Sequence, residues 1–159
     1  MKFVITGGAG FIGSHIAKHL VEKNHDVTVV DNLSRGRLEN LSKIKEQIEF
    51  KKMDILDFDS LKKVIFNSDG VFHQAALTSV PESFTQKEKY HNVNVKGTEN
   101  IFKLAKEFGK KVVYASSSSI YGNTTTIPIS ENFERKPINP YGVTKLDDEI
   151  LAEKYNNLG

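Results

Sequence analysis

Lys2-Phe3-Val4-Ile5-Thr6 runs directly into Gly7-Gly8-Ala9-Gly10-Phe11-Ile12-Gly13, and the reading of this junction decides the fold. A short apolar run reads as a strand, the glycines as a turn, and Ile12, Ile16 and Leu20 as one face of the helix that follows. The glycines spell G-x-G-x-x-G from Gly8 or G-x-x-G-x-x-G from Gly7. Either spelling alone is weak, because glycine turns are common. The context strengthens it: a strand precedes, an amphipathic helix follows, and Asp31 closes the next apolar run eighteen residues after Gly13. Physically this is a tight turn that lets backbone approach a pyrophosphate, with a helix amino terminus aimed at its charge. Asp31 at the next strand end accepts hydrogen bonds from ribose hydroxyls and repels a 2'-phosphate, so NAD is expected over NADP, while Arg35 and Arg37 nearby pull the other way.

Working outward, short apolar runs alternate with helical periodicity, the pattern of a parallel sheet flanked by helices. Strands are predicted near residues 2–6, 26–30, 48–53, 70–74 and 111–115. Between them, Phe58, Leu61 and Ile65 share one helical face, and Ile101, Leu104, Ala105 and Phe108 form another; with the Ile12 stripe they are expected to cover the sheet. Pro81 suits the start of a long helix reaching about Phe108, and Pro140 the start of a last one. The Ser/Thr/Asn/Pro-rich stretch from Ser116 to Pro140 reads as a functional loop at the carboxyl edge of the sheet.

Composition narrows the class. The chain has 159 residues, enough for one ordinary domain with a hydrophobic core, and 38% hydrophobic against 26% charged residues is a soluble globular balance. No apolar stretch approaches the length of a membrane span, and the first strand begins too early to leave room for a secretory leader, so a cytoplasmic protein is expected. With no cysteine there is no disulfide framework and no thiolate metal site. A formal charge of +2, with lysines interleaved among acids, describes a solvated surface rather than a nucleic-acid footprint. His15 and His19 have the i, i+4 spacing of a metal pair but lack a third ligand in the pattern, so they read as surface or packing residues and no metal is expected.

Tyr141 and Lys145 stand four residues apart in the predicted last helix, after the serine run Ser116 to Ser119, and of the five tyrosines only Tyr141 has a lysine at this spacing. Drawing a phenol from about pH 10 towards neutrality takes roughly 4 kcal/mol of preferential stabilisation of the phenolate. A lysine one helical turn away supplies part of it, which makes the pair a candidate for redox chemistry on an alcohol.

Together these residues resemble the extended short-chain dehydrogenase/reductase family, most closely its NAD-dependent nucleotide-sugar epimerases of the UDP-glucose 4-epimerase type. The resemblance spans essentially the whole chain: beside the glycine loop and Asp31-Asn32 it takes in Asp54-Ile55, His73-Gln74-Ala75-Ala76, Asn94-Val95-Lys96-Gly97-Thr98 and Tyr121-Gly122. It implies an α/β fold, a doubly wound parallel-sheet Rossmann fold in truncated form, with residues 1–159 forming an incomplete NAD-binding domain and no smaller carboxyl-terminal substrate domain. The implied cofactor set is Gly7, Gly10, Phe11, Ile12, Gly13, Asp31, Asn32, Asp54, Ile55, Ala75, Ala76, Asn94, Tyr141 and Lys145. Asp54 and Ile55 would cradle adenine, Ala75 and Ala76 would line the cofactor groove, and Asn94 would help hold the active site together. His73 is expected to make an orienting hydrogen bond rather than to act as acid or base.

The resemblance also implies a catalytic set of Ser117, Tyr141 and Lys145, with Ser117 four residues before Tyr121. Tyr141 would take the proton from a sugar hydroxyl as hydride leaves to nicotinamide, Lys145 would hold the nicotinamide ribose, and Ser117 would bond the reacting oxygen. Related dehydratases carry an Asp-Glu pair directly after that serine, where this chain has Ser118 and Ser119, so epimerisation of a UDP-hexose at C4 is expected. The alternatives are another nucleotide-sugar oxidoreductase or dehydratase of the family, or an NAD-binding module without turnover, since family members continue well beyond the length seen here. A homodimer through the helices carrying Asn94 and Tyr141 is a further implication.

Overall fold

Five strands, β1 (Lys2–Thr6), β2 (Asp26–Asp31), β3 (Ile48–Lys52), β4 (Gly70–His73) and β5 (Lys111–Tyr114), form one parallel sheet in the order β3-β2-β1-β4-β5. The computed structural model describes residues 1–157. All five strands belong to the first of two compact units, Met1–Ala76 with Asn100–Ala115; the second is Leu77–Glu99 with Ser116–Gly159.

In the first unit the chain winds outward from β1 to β3, returns to β1 and proceeds through β4 to β5, so the direction of winding reverses between β1 and β4. Right-handed crossovers then place helices on both faces, the doubly wound arrangement the sequence predicts. The central strands read as continuous apolar runs because both faces are covered: Val4, Ile5, Val29 and Val30 are fully buried.

Helix α1 (Phe11–Glu22) buries Gly13, Ser14, Ala17 and Leu20. This corrects the predicted stripe, since Ile12 is 59% exposed and Ile16 only half-buried. The first turn of the helix lies against the glycine loop, where a Cβ on Gly13 would fall 2.4 Å from the Gly7 carbonyl, so the inner face has no room for a large side chain there and takes one only further along, at Leu20. Helix α2 (Phe58–Phe66) buries Leu61 and Ile65 as predicted and is capped by Asp57, whose carboxylate accepts from Ser60 N–H at 3.2 Å. From Asn100 onward the next helix contributes buried Ile101, Phe102, Leu104 and Ala105, and Phe102 meets Tyr114 of β5 edge to face at 5.3 Å. No helix crosses over between β2 and β3. Two short 3-10 turns, Leu38–Leu41 and Lys45–Gln47, span that connection and send Leu41 and Ile44 into the core beside Ile5, Ala17 and Val29.

The segment from Pro81 to Phe108 departs most from the sequence reading. In place of one helix from Pro81 to Phe108 there are α3 (Val80–Thr85), α4 (Lys87–Tyr90), a π-helical turn (His91–Lys96) and α5 (Gly97–Glu107). Gln86 leaves the helical region at ψ 41°. Ser83 and Thr85 explain the break locally: their hydroxyls donate to the Val80 and Glu82 carbonyls at 2.6 and 3.0 Å, competing with helix propagation. Helix α6 (Pro140–Asn157) begins at Pro140 as predicted, with Asn139 Oδ1 accepting from Gly142 N–H at 2.7 Å. Among the described residues no helix is long and apolar enough to cross a membrane.

If the 3-10 connection is part of the core, Leu41→Ala should cost about 2–5 kcal/mol in equilibrium urea unfolding. Leu38→Ala, three residues earlier and 49% exposed, should stay within about 0.5 kcal/mol of the parent.

Candidate functional site

At the winding reversal in the first unit, the carboxyl ends of β1 and β4 lie in register, Thr6 opposite His73. Ligands of open parallel sheets bind at such switch points, because the crossovers leave to opposite sides and open a crevice. Thr6 Oγ and His73 Nδ1 are 2.6 Å apart and both residues are buried, so the histidine is anchored by an orienting hydrogen bond. Immediately after Thr6, Gly7 adopts φ +66°, and a Cβ there would fall 2.6 Å from Ala75 N. Only glycine meets both demands, the left-handed backbone and the close passage of the Gln74–Ala75 segment. Ala75 and Ala76 follow, half-buried, along the same crevice.

The amino terminus of α1 is left open. Gly10 stands at the cap position without a side-chain cap, no acidic residue occupies the first turn, and Phe11 and Ile12 are exposed there. Free N–H groups and the positive end of the helix dipole suit an anionic diphosphate. Asp31 is buried at the end of β2, its Oδ2 accepting from Ala9 N–H at 3.0 Å and its Oδ1 from Leu33 N–H at 2.8 Å. Each oxygen keeps acceptor capacity for a diol. The second of these bonds holds Leu33 at φ 61°, an unusual backbone for a leucine. Asn32 donates to Asp54 Oδ2 at 2.9 Å, and the Ile55 carbonyl accepts from Asn100 Nδ2 at 3.1 Å, fixing the two loops at the ends of β2 and β3. Gly7, Gly10, Phe11, Ile12, Gly13, Asp31, Asn32, Asp54, Ile55, Ala75 and Ala76 all fall in this first unit.

The second unit contains Ser117, Tyr141, Lys145 and Asn94. Ser117 caps a 3-10 turn (Ser118–Tyr121), accepting from Ser119 N–H at 3.2 Å, and its hydroxyl lies 3.1 Å from that of Ser119. Helix α6 packs on this turn so closely that a Cβ on Gly142 would lie 2.8 Å from the Ser119 carbonyl. A glycine beside Tyr141 therefore seats the tyrosine's helix directly on the serine segment. Ser83 Oγ accepts from Tyr141 N–H at 3.2 Å. Asn94, fully buried, spends both amide hydrogens on the Leu77 carbonyl and Thr144 Oγ, each at 3.0 Å, and accepts from Leu77 N–H at 2.8 Å. Its contribution is to bind the π-helical turn to α6, one residue before Lys145. The π-helical register turns Asn94 and Val95 inward together, as single π turns at functional sites often do.

His15 and His19 do not converge on a common ligand: His15 Nδ1 lies 2.8 Å from the Phe11 carbonyl and His19 pairs with Glu22 at 3.9 Å.

A family profile described as GDP-mannose 4,6 dehydratase matches residues 4–158. The chain belongs to this family. A putative UDP-glucose 4-epimerase of Methanocaldococcus jannaschii is 39% identical over 158 residues, covering 98% of this chain and 51% of the relative. Among solved structures, a UDP-N-acetylglucosamine 4-epimerase of Methanobrevibacter ruminantium, in complex with UDP-N-acetylmuramic acid, superposes with TM-score 0.93 at 37% identity, over 98% of this chain and 50% of that one. A dTDP-glucose 4,6-dehydratase of Streptomyces venezuelae with NAD bound gives TM-score 0.94 at 29% identity, over 99% and 52%. The chain thus spans about half the length of the relatives it matches. For a member of this dehydratase and epimerase family, the serine run is the notable local feature, because Ser118 and Ser119 put no carboxylate beside Ser117.

One titratable residue of the site escaped the sequence reading. Asp148 is fully buried, with Oδ2 2.5 Å from Lys145 Nζ, while Oδ1 has no hydrogen-bond partner. Its i, i+3 spacing from Lys145 was the available signal, hidden among the acids Asp147, Asp148 and Glu149. Burial pushes the Asp148 carboxyl up to about 6, against the opposing pull of Lys145 and of the Thr98 hydroxyl.

A carboxyl raised from 3.8 to about 6 on folding contributes stability that is fully present below pH 3.8 and lost as pH rises towards 6, because the unfolded chain gives up its proton first. Between pH 4 and pH 7 the parent should therefore lose up to about 3 kcal/mol relative to Asp148→Asn, read from urea unfolding at each pH.

Proposed function

We propose that this chain is the cofactor-binding and catalytic part of an NAD-dependent nucleotide-sugar epimerase, acting at C4 of a UDP-hexose of the UDP-glucose and UDP-galactose type through a transient 4-keto sugar. The observation that carries the reading is α6: Tyr141 and the buried Lys145 lie one turn apart on a helix seated on the serine segment, where no acid directly follows Ser117 and the Glu149 carboxylate that meets the run is bonded by Ser116. That absence favours epimerisation over dehydration, which needs an acid to protonate a leaving hydroxyl. The chain's 39% identity to the M. jannaschii relative named as a putative UDP-glucose 4-epimerase supports the same choice.

The residues divide the work. Gly7, Gly10, Phe11, Ile12 and Gly13 present backbone to the pyrophosphate of NAD, Asp31 accepts from the adenosine ribose, Asp54 and Ile55 hold adenine with Asn32 bonded to Asp54, and Ala75 and Ala76 leave room for the dinucleotide. The chemistry supplied by bound NAD would be that of a reversible hydride acceptor, regenerated within each cycle. Tyr141 as phenolate takes the sugar hydroxyl proton and gives it back, Ser117 donates to the reacting oxygen, and Lys145 holds the nicotinamide ribose. Asn94 acts by fixing the turn that supports Lys145. The chain acts as a homodimer through the helices that carry Asn94 and Tyr141; exposed Phe84, Ile138 and Val143 line a groove of about 520 Å3 on that face, which supports a second copy as its occupant.

Purified chain should interconvert UDP-glucose and UDP-galactose without added reductant, and Tyr141→Phe should cut turnover by about 100-fold or more while leaving NAD affinity within a few-fold. NAD binding with no epimerisation even at high protein concentration would instead establish a binding module. Sedimentation should show a dimer that Val143→Glu converts to monomer; a parent monomer at the assay concentration would remove the dimer from this reading.

A further inference from the structure

Lys145 and Asp148 are both withdrawn from water, the lysine 4% exposed and the aspartate not at all. Two buried ions persist only by neutralising one another, and neither is cheap to leave alone. Yet the neutralisation is incomplete in its hydrogen bonds, because Asp148 Oδ1 has no partner while Oδ2 takes the ammonium at 2.5 Å. Residues 141, 145 and 148 are spaced i, i+4, i+7 along α6, so the phenol, the ammonium and the carboxylate share one face of the helix with the ammonium between the other two. A lysine placed to meet a ribose has no need of a carboxylate, and a helix core has no need of an ion pair.

We propose that Asp148 is a positioning residue for Lys145: it holds the ammonium inside the second unit while no nucleotide is bound, and NAD binding draws the ammonium from the carboxylate to the nicotinamide ribose. The inference rests on the assignment of Lys145 to that ribose. Its charge balance is explicit. The ribose hydroxyls are neutral, so when the ammonium leaves, Asp148 is a lone buried carboxylate and takes one proton from solvent. The groups bearing on it are Lys145 and Asp147 of its own helix and the Thr98 hydroxyl of the helix that begins at Gly97; of these, Lys145 supplies the largest pull towards the ionised form. With the lysine in place burial already raises the carboxyl to about 6, so loss of that pull carries it through neutrality.

The test is a carboxyl 13C NMR titration of Asp148 in the full chain, in the parent and in Lys145→Met, each without and with saturating NAD. In the nucleotide-free parent the midpoint should lie near 6, and both Lys145→Met and NAD should raise it by about one unit or more. NAD that shifts the amide signals of Gly7 to Gly13 but leaves the Asp148 midpoint in place overturns the inference and spares the cofactor assignment. Should NAD leave those amides unmoved, the cofactor assignment falls and the inference falls with it. If Lys145→Met does not fold, calorimetry of NAD binding at pH 7 in buffers of different ionisation enthalpy decides the question with the parent and Asp148→Asn. Proton uptake by the parent and none by the variant supports the inference, and equal uptake by both overturns it.

Discussion

The sheet unit depends on one steric constraint, the close passage of the chain at Gly7. The residue ends β1, adopts a left-handed backbone and lies so near Ala75 that no side chain fits. Because β1 is also the strand at which the winding reverses, this single turn sets where α1 begins, how near the segment after β4 comes, and which backbone N–H groups are left without partners at the helix start. Thr6 and His73 brace the same junction from beneath through a short buried hydrogen bond. A fold organised this way leaves an uncapped helix terminus beside the glycines at the reversal, a setting whose dipole suits an anion.

In the second unit the organising interaction is electrostatic. Helix α6 is joined to the π-helical turn by the Asn94 to Thr144 bond and to the serine segment by contact at Gly142. Among these polar residues Lys145 and Asp148 form a buried pair, in which desolvating two ions offsets most of what their attraction returns. The pair places a cation one turn from Tyr141 in a setting without solvent to screen it. It also leaves a carboxylate whose proton affinity answers to where that cation goes. Structure and chemistry meet there, because a group that fixes the lysine also registers its departure.

Much of this was legible in the chain. The five strands, the first two helical segments, the glycine turn after β1 and the start of the last helix at Pro140 follow from local rules: apolar runs, turn residues and helix-start signals. What failed did so for identifiable reasons. Ile12 fits a helical stripe by period but faces outward, because the first turn of α1 lies against the glycine loop and only Gly13 fits on the side facing it. The region after Pro81 has helical composition throughout, and only the side-chain bonds of Ser83 and Thr85 to their own turn, together with the inward register of Asn94, break it into pieces. Leu41 and Ile44 enter the core from a connection with neither strand nor helix periodicity long enough to notice.

The amino-acid sequence by itself determined the α/β class, the glycine turn between the first strand and its helix, the acidic residue at the end of β2 and the start of the last helix just before Tyr141 and Lys145, because each is carried by residue types at short, fixed spacings that local geometry interprets without help. Only the tertiary structure decided that Lys145 is buried, that Asn94 is committed to Leu77 and Thr144, and that Asp148, one acid among three in a row, is the one enclosed beside the lysine. Burial and partnership arise from segments far apart in the chain. The proton affinity of a carboxylate depends on the water excluded by those segments, which no local spacing records.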